Sequence, residues 1–462
     1  MRPRLLTPEA LRAALRAAGV TTASELAAKL EVSQPTISRG LSQLGRGVLR
    51  LGRTRGARYA LPEPVAGLGS QWPLYRIDAS GQARQLGELH SLAGDQWYFE
   101  SPEPRPALMH GDFSSGLYPD LPWFLEDQRP QGFLGRSFVQ AHAATLGAPE
   151  DLNLWNSRHM LAALVLHGSD LPGDLVLGDG ALRRALLDGT GSQAFAPGER
   201  SVRYPALAAA AIAGDRTGSS AGGEQPKFTA VLDEAAAGFR SVVVKFSDAI
   251  TTPTSQRWSD LLLCEHLAER RLAQAGFPAA GTEILESQGR RFLQSTRHDR
   301  TPSLGRRGQV SLRALDAAYL GMARAPWVDV ADRLVAEGWT TPETRDCIRV
   351  LGLFGNLIGN TDMHFGNLAF VLGDSRPLAL TPVFDMLPMA YAPAAGGAVV
   401  TREFNPSPPL PRHAAAWSIA AALAEAFWAD VASDDRASPG FRDIADRNHE
   451  TLASLRRRFG EP

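Results

Sequence analysis

The chain has 462 residues, 44% of them hydrophobic and 21% charged, a composition that excludes a disordered chain and allows two or three domains with buried cores. It contains two cysteines, Cys264 and Cys347, so we expect no disulfide framework and a reducing, cytoplasmic location. It lacks both an apolar run of about 18 residues and a signal-peptide pattern, which predicts no contact with a membrane.

The first 60 residues predict a small basic domain. They contain eleven Lys and Arg residues against three acidic residues, a net charge of +8, whereas the rest of the chain carries −9. Apolar spacing and turn residues predict helices over 7–18, 22–30 and 34–44 and two short strands within 48–61. Three helices and a basic hairpin are the elements of a winged helix-turn-helix, so residues 1–62 are predicted to bind double-stranded DNA.

The third of these helices is the expected recognition helix. Its N-terminal side chains would face the base edges in the major groove, and arginines of the hairpin would contact phosphates. The candidate DNA-binding residues are Gln34, Thr36, Ser38, Arg39, Arg53 and Arg55. In the alternative interpretation, the three helices and the hairpin form only an interaction or dimerisation module.

Beyond a Pro- and Gly-containing linker at 62–69, the elements become those of a larger α+β body. Short strand-like runs and a packed aromatic segment (120–138) are predicted before residue 200. The later pattern predicts strands at 228–232, 241–247, 368–372 and 377–383, the last two forming a hairpin, and helices near 257–276, 311–323 and 343–359, with a helical tail from about 412.

The segment GNTDMHFGN (359–367) carries the clearest chemical pattern. An aspartate followed five residues later by an asparagine suits phosphoryl transfer, because Asp362 can orient a hydroxyl and accept its proton while the Asn367 oxygen binds Mg²⁺. Asp385 ends a predicted strand and supplies a second oxygen ligand for the metal. His364 either orients Asp362 or packs as a structural residue of the loop.

The upstream sequence supplies groups suited to a nucleotide. The loop 219–227 is small enough for its backbone amides to approach phosphates, and Lys245 lies on an apolar strand where an ion-pair partner is needed. Glu265, or else Asp260, on the following helix is the expected partner. Only three lysines occur in the whole chain, and Lys227 and Lys245 are two of them. The candidate ATP-binding residues are Ser220, Gly222, Gly223, Gln225, Lys227, Lys245 and Glu265.

Four segments resemble a known family. GNTDMHFGN (359–367) resembles the Asn-Thr-Asp-x-His-x-x-Asn signature of HipA-type toxin kinases, and TPVFDM (381–386) resembles their metal-binding segment. SAGGEQPK (220–227) is similar to their phosphate loop, and RFLQSTRHDR (291–300) to the linker between their lobes. The resemblance covers roughly residues 70–430.

The fused winged helix and the segments GGEQPKF (222–228) and RPQGFLGR (129–136) look most like the YjjJ (HipH) subgroup of that family. The resemblance implies a HipA-like N-terminal region over 70–200. It also implies a two-lobed, protein-kinase-like core over 201–462, whose C-terminal lobe is mainly helical.

The resemblance also implies a role for each matched residue, with ATP and Mg²⁺ as cofactors. Asp362 would be the catalytic base, Lys245 would hold the ATP phosphates, and Asn367 and Asp385 would bind Mg²⁺. Ser220 would be the autophosphorylation site that switches the kinase off.

Partners are implied in the same way. HipA toxins phosphorylate proteins, notably aminoacyl-tRNA synthetases, and usually pair with a separate DNA-binding antitoxin. This chain departs from that pattern because it carries its own DNA-binding head.

Two other functions remain open from the residues. One is a transcription regulator whose kinase-like body is a degenerate sensor. The other is a metal-dependent deoxyribonuclease in which Asp362, His364 and Asp385 hold the metal.

Overall fold

The computed structural model describes residues 6–52, 56–65, 67–101, 113, 115–213, 225–394 and 396–459. These residues form a mixed helix and sheet structure with an N-terminal unit, a middle region, a C-terminal sheet and a helical part.

The N-terminal unit has the elements expected from the sequence. They are helices α1 (Pro8–Ala18), α2 (Ala23–Leu30) and α3 (Gln34–Leu44), and strands β1 (Thr21–Thr22), β2 (Leu49–Leu51) and β3 (Arg58–Ala60). Strands β2 and β3 pair antiparallel, which confirms the hairpin, and β1 adds a third strand that was not predicted. Thr22 caps α2 through a capping box with Glu25, whereas the Ser33 side chain makes no capping bond to α3.

The segment predicted as a linker is packed against the middle region. Val65 is 2% exposed, and the backbone N–H of Glu63 donates to the Ser91 carbonyl over 3.0 Å. The Ala93 N–H likewise donates to the Leu61 carbonyl over 2.9 Å. Composition alone suggested a flexible connection, but these backbone bonds join the N-terminal unit to the middle region.

The middle region is an antiparallel sheet covered by helices. Its strands β4 (Gln71–Ile77), β5 (Ala83–Leu92), β6 (Gln96–Glu100), β7 (Leu117–Tyr118) and β8 (Leu175–Leu177) lie in the order β7-β6-β5-β4-β8. Its helices are α4 (Gly132–Leu146), α5 (Ser157–His167) and α6 (Asp179–Asp188). The aromatic segment is packed as predicted, since Trp123, Phe124 and Leu125 are all buried.

The C-terminal sheet follows helix α7 (Arg200–Ala213). Its strands β9 (Lys227–Asp233), β10 (Phe239–Phe246), β11 (Thr282–Ser287) and β12 (Arg290–Thr296) lie in the order β11-β12-β10-β9. Helix α8 (Pro253–Gln274) starts earlier than predicted because Thr252 caps it and a proline occupies its first turn.

The helical part contains α9 (Leu312–Leu315), α10 (Trp327–Ala336), α11 (Pro342–Leu357), α12 (Ala414–Ser433) and α13 (Pro439–Phe459). The single helix predicted over 311–323 is instead the short α9 continued by a π turn, Asp316–Leu320. The hairpin predicted over 368–383 is also reduced. Strand β14 (Ala369–Phe370) pairs with β13 (Val310–Ser311), and a single bridge links Phe370 to Leu380.

Helix α12 lies within the core of the helical part. By length and composition alone, the stretch Pro411–Ser433 is apolar enough to cross a membrane. However, Trp417, Phe427 and Trp428 are buried, and α12 packs against α11 and α13. Buried core helices commonly have this composition. Cys264 and Cys347 are both free thiols, as expected.

A buried ion-pair network joins the middle region to the segment that follows β12. The Asp299 carboxylate is 4% exposed and accepts hydrogen bonds from Arg297 Nε over 3.0 Å and from Arg300 Nη1 over 2.7 Å. It also accepts the Gly173 N–H over 2.9 Å. Asp170 lies 2.8 Å from both guanidinium groups. Sequence analysis identified this segment but not its partners, which come from a distant part of the chain.

Candidate active site

Lys245 lies on the central strand β10 of the C-terminal sheet, between β9 and β12. It is 8% exposed, and its Nζ lies 2.6 Å from Glu265 Oε1 and 2.8 Å from Oε2. Its Nζ also contacts Asp385 Oδ1. Glu265, not Asp260, is therefore the helix carboxylate beside Lys245; Asp260 instead accepts a hydrogen bond from the Ser438 hydroxyl over 2.6 Å.

Two of the three lysines in the chain are direct cross-strand neighbours. Lys227 begins β9 and pairs with Lys245 in the antiparallel register, so both side chains leave the same face of the sheet. Lys227 is 2% exposed. Like charges in this arrangement repel each other and destabilise a sheet unless anions lie between or beside them. The two lysines thus create a buried site that favours negative charge.

The carboxylates at this site keep Lys245 charged. Burial opposes the charge, but Asp385 and Glu265 outweigh it and hold the pKa of Lys245 above its ordinary value. The charges of Lys245 and Lys227 outweigh burial at Asp385 and lower the pKa of that carboxyl. Burial raises the pKa of Glu265, and the charge of Lys245 only partly offsets this effect.

A chain of hydrogen bonds ties Asp385 to the loop 359–367. Asn360 Nδ2 donates to the Asp385 carbonyl over 3.0 Å, and Asn360 Oδ1 accepts the Asp362 N–H over 3.0 Å. Asn367 Nδ2 in turn donates to the Asp362 carbonyl over 2.9 Å. Asn360 is 5% exposed, and sequence analysis missed its positioning role, although the residue lies inside the motif. The structure thus brings Lys245, Asp385, Asp362 and Asn367 together.

Asp385 has an unusual backbone conformation. Its φ is 59°, in the left-handed region that non-glycine residues rarely occupy. The preceding Val383 is fixed on both sides, since its N–H donates to the Pro278 carbonyl over 2.9 Å and its carbonyl accepts the Ala280 N–H over 3.0 Å. Such strain is common where a carboxylate must be held in one direction.

His364 stabilises the loop itself. Its Nδ1 accepts the Gly366 N–H over 3.1 Å and so caps the short turn Phe365–Asn367. This agrees with the interpretation in which His364 is a structural residue of the loop. The Asp362 side chain, in contrast, is exposed, as a residue that meets a substrate must be.

Part of the predicted phosphate loop lies outside the described residues, namely Ser220, Gly222 and Gly223. Gln225 is described, and its Nε2 is buried without a hydrogen-bond partner among the described residues. An unsatisfied buried donor at the edge of a lysine-rich site is suited to an anionic ligand such as a nucleotide phosphate.

The oxygen donors fit a cation that is shared with phosphates. Asn367 commits its amide nitrogen to the loop, so its Oδ1 is the side-chain atom that remains for a cation, and Asp385 adds a carboxylate. The described part of the chain holds no cluster of three or more His, Cys, Asp or Glu side chains suited to a metal. Asp362, His364 and Asp385 are thus not grouped as such a cluster.

Glu269 lies one turn after Glu265 on α8, and sequence analysis did not identify it. It is fully buried, and neither carboxylate oxygen makes a hydrogen bond of good geometry among the described residues, the nearby Thr282 side chain being the polar group that partly offsets its burial. Burial, with the charge of Glu265 adding to it, raises the pKa of Glu269 well above its ordinary value.

Glu269→Met is expected to make the protein more stable by about 1–3 kcal/mol at pH 8, because it removes an unsatisfied buried polar group. Because the pKa of Glu269 is higher in the folded protein, the folded state keeps a proton that the unfolded chain releases. The stability that protonated Glu269 contributes is therefore complete below about pH 4 and is lost as the pH rises through the folded pKa. Urea unfolding of wild type, Glu269→Met and Glu269→Gln between pH 5 and 8 measures the effect. A wild-type pH slope that both variants retain would contradict this assignment.

The N-terminal unit presents a polar face on α3. Ile37 and Leu41 are buried, whereas Gln34, Ser38 and Arg39 are exposed and Thr36 is half-buried. Arg53 and Arg55 lie outside the described residues. Whether this face binds DNA stays a prediction.

Two parts of the chain match known protein families. Residues 68–186 match "YjjJ-like toxin, middle domain", and residues 219–448 match "HipA-like C-terminal domain". Over 438 residues, the chain is 35% identical to Toxin YjjJ of Escherichia coli (strain K12), covering 95% of this chain and 96% of that protein.

Two solved structures are more distantly similar. A chain of the Shewanella oneidensis MR-1 complex of HipA, HipB and operator DNA has a TM-score of 0.49 at 13% identity, covering 83% of this chain and 97% of that chain. The Helicobacter pylori proinflammatory kinase CtkA has a TM-score of 0.33 at 14% identity, covering 51% of this chain and 88% of its own.

Proposed function

Since the chain belongs to the HipA/YjjJ family of toxins, we propose that it is a Ser/Thr protein kinase that transfers the γ-phosphate of ATP to a protein. The proposal assigns catalysis to residues 201–462, a supporting role to 70–200 and DNA binding to 1–62.

One observation carries the proposal: Lys245, Asp385 and the loop 359–367, which are distant from one another in sequence, are joined by one continuous set of contacts. Lys245 contacts Asp385, Asn360 links the Asp385 backbone to Asp362, and Asn367 holds the other end of the Asp362 peptide. An amine, two carboxylates and an amide in this order are the groups that phosphoryl transfer requires.

Each residue then has a defined task. Lys245, held charged by Glu265, binds phosphate oxygens, and Gln225 donates its unsatisfied N–H to them. The exposed Asp362 carboxylate orients the substrate hydroxyl and accepts its proton at Oδ. Asn367 Oδ1 and Asp385 would hold Mg²⁺. Bound Mg²⁺-ATP would supply the transferable phosphoryl group and the charge that neutralises the phosphates.

Incubation with Mg²⁺ and ATP labelled at the γ-phosphate is expected to place label on the protein itself, at Ser220. The protein is first treated with a phosphatase, so that prior phosphorylation does not block the site. Mass spectrometry locates the phosphate, and Ser220→Ala is expected to lose the self-label while still labelling a protein substrate. A phosphatase-treated protein that gains no label on any residue, in itself or in a cell extract, would rule out the kinase proposal.

The substrate is proposed to be a protein of the translation machinery, for example an aminoacyl-tRNA synthetase, in the cytoplasm. Its phosphorylation would arrest growth, and phosphorylation of Ser220 would limit the toxin. A separate antitoxin is a proposed partner. The fused N-terminal unit would let the toxin act on its own operator.

DNA binding by the N-terminal unit is expected to depend strongly on salt, because arginine contacts to phosphates release counterions. Arg39→Ala, on the exposed face of α3, is expected to weaken binding about fivefold or more. Fluorescence anisotropy with a labelled duplex at several salt concentrations measures both effects. Arg84→Ala, an exposed arginine of the middle region, is the matched control. Equal losses in the two variants would remove α3 as the binding surface.

A further inference from the structure

A cavity lies between the middle region and the C-terminal sheet, away from the candidate active site. Its volume is about 500 Å³, and residues of α4, α5, α6, α7, β9 and the segment 297–306 line it. Lys245, Glu265, Asp362, Asn367 and Asp385 are not among the lining residues. A cavity of this size can hold a small organic molecule.

Positive charge dominates the lining of this cavity. Among the described residues that line it, two are acidic, Asp170 and Asp188, against five arginines: Arg184, Arg203, Arg297, Arg300 and Arg306. Arg184 and Arg203 are exposed and so mark the mouth, whereas the other three arginines are buried. Arg297 and Arg300 are neutralised by Asp170 and Asp299, as the ion-pair network shows.

Arg306 differs from the other two buried arginines of the cavity because it makes no direct ion pair with a described residue. It is 5% exposed, its Nη2 donates to the Ser169 carbonyl, and its Nη1 has no hydrogen-bond partner among the described residues. No described carboxylate forms an ion pair with it. Burial, with the charge of Arg300 adding to it, lowers the pKa of Arg306 to about 9. The charges of Asp170 and Asp299 act on Arg306 but are shared with Arg297 and Arg300, so they compensate it only in part. A partly compensated buried guanidinium at a cavity wall favours a ligand that supplies further negative charge.

The rest of the wall is mixed, with apolar side chains beside polar ones such as Gln128, Gln193 and Thr229. Its large apolar side chains are Leu134, Phe138, Leu164, Phe195, Leu207 and Phe228. An inorganic ion would leave this surface uncovered, whereas an organic anion would cover it and gain the free energy of apolar burial.

We propose that this cavity binds an amphipathic organic anion, with its apolar body against Phe138 and Phe228 and its oxyanion head at Arg306. Because the lining comes from both the middle region and strand β9, the bound molecule would contact both parts of the protein at once.

Phenyl phosphate is a simple probe of this site, with inorganic phosphate and phenol as its separate halves. Isothermal titration of the full chain is expected to show saturable binding of phenyl phosphate, about tenfold or more tighter than that of either half. Arg306→Met is expected to weaken this binding about tenfold or more, because it removes a charged hydrogen-bond donor. The variant should fold, since the arginine that it removes makes no direct ion pair with a described carboxylate.

Two further variants keep the test decisive. Arg184→Gln combined with Arg203→Gln changes only exposed residues at the mouth and is expected to weaken binding about threefold to tenfold. Lys245→Met alters the candidate active site and is expected to leave the affinity for phenyl phosphate unchanged. The proposal is overturned if phenyl phosphate does not bind, if inorganic phosphate binds as tightly, or if binding is lost in Lys245→Met and not in the arginine variants.

Discussion

Asp362→Asn is expected to slow phosphate transfer by about 10²- to 10⁴-fold, the usual contribution of a general base. The substitution removes the proton acceptor but not the hydrogen bonds of the loop, because Asn360 and Asn367 contact the backbone of Asp362 and not its carboxylate. Its exposed side chain makes unfolding unexpected. The initial rate of label transfer from γ-labelled ATP is the measurement, with circular dichroism to check the fold.

Asp443→Asn is the matched control, since this aspartate is exposed on α13 and far in sequence from the loop. A variant Asp362→Asn that keeps both its transfer rate and its toxicity would exclude Asp362 as the base. If toxicity then required only residues 1–62, the chain would act as a transcription regulator. Mg²⁺-dependent nicking of plasmid DNA without ATP, lost in Asp385→Ala, would instead support the nuclease.

The largest loss of stability is expected from Asp299→Asn, at about 3–5 kcal/mol. Asp299 is 4% exposed and accepts hydrogen bonds from two buried arginines and a backbone N–H. Asparagine removes the more buried of the two carboxylates that both guanidinium groups share, leaving only Asp170, and places an amide donor next to other donors. Urea denaturation, followed by the intrinsic fluorescence of the buried tryptophans, measures the free energy of unfolding.

Asp248→Asn is the comparison for this prediction. Asp248 also pairs with an arginine, Arg290, but its side chain is 78% exposed, so its loss is expected to cost no more than about 1 kcal/mol. Since Arg297 and Arg300 hold the pKa of Asp299 below its ordinary value, the stability from this group should be complete at neutral pH and fall as the solution is acidified. Similar losses in both variants would contradict a special role for the buried network.

Sequence reasoning located the elements whose signal is local. The strands around Lys245, the helix that carries Glu265 and the head helices follow from apolar periodicity and caps that lie within a few residues of one another. The pairing of Lys245 with Glu265 was likewise predictable, because a lysine on a buried strand needs a carboxylate and the next helix offered one.

What sequence reasoning missed depends on contacts between distant segments. Nothing near Arg297 indicates that Asp170 neutralises it, and nothing in residues 62–69 indicates that they pair with Ser91 and Leu92. The hairpin over 368–383 was predicted too long because its turn residues are evident in the sequence. The pairing of β14 with β13, a strand more than 50 residues earlier, has no such local signal. Asn360 belongs to the quoted family signature, but its role, which is to hold two backbone segments, could not be derived from the residue type alone.

The backbone hydrogen bonds from Leu61 and Glu63 to the middle region determine how the function of the N-terminal unit should be removed in an experiment. Deletion up to residue 62 would strip the bridge partner of Leu92 and expose apolar side chains such as Tyr98, which pack against Leu51 and Ala60. The shortened chain would then have an unpaired strand edge and an exposed apolar surface, both of which promote aggregation. Such aggregation could be mistaken for loss of regulation. Substitutions on the exposed face of α3 would remove the proposed DNA binding and keep the contacts between the N-terminal unit and the middle region.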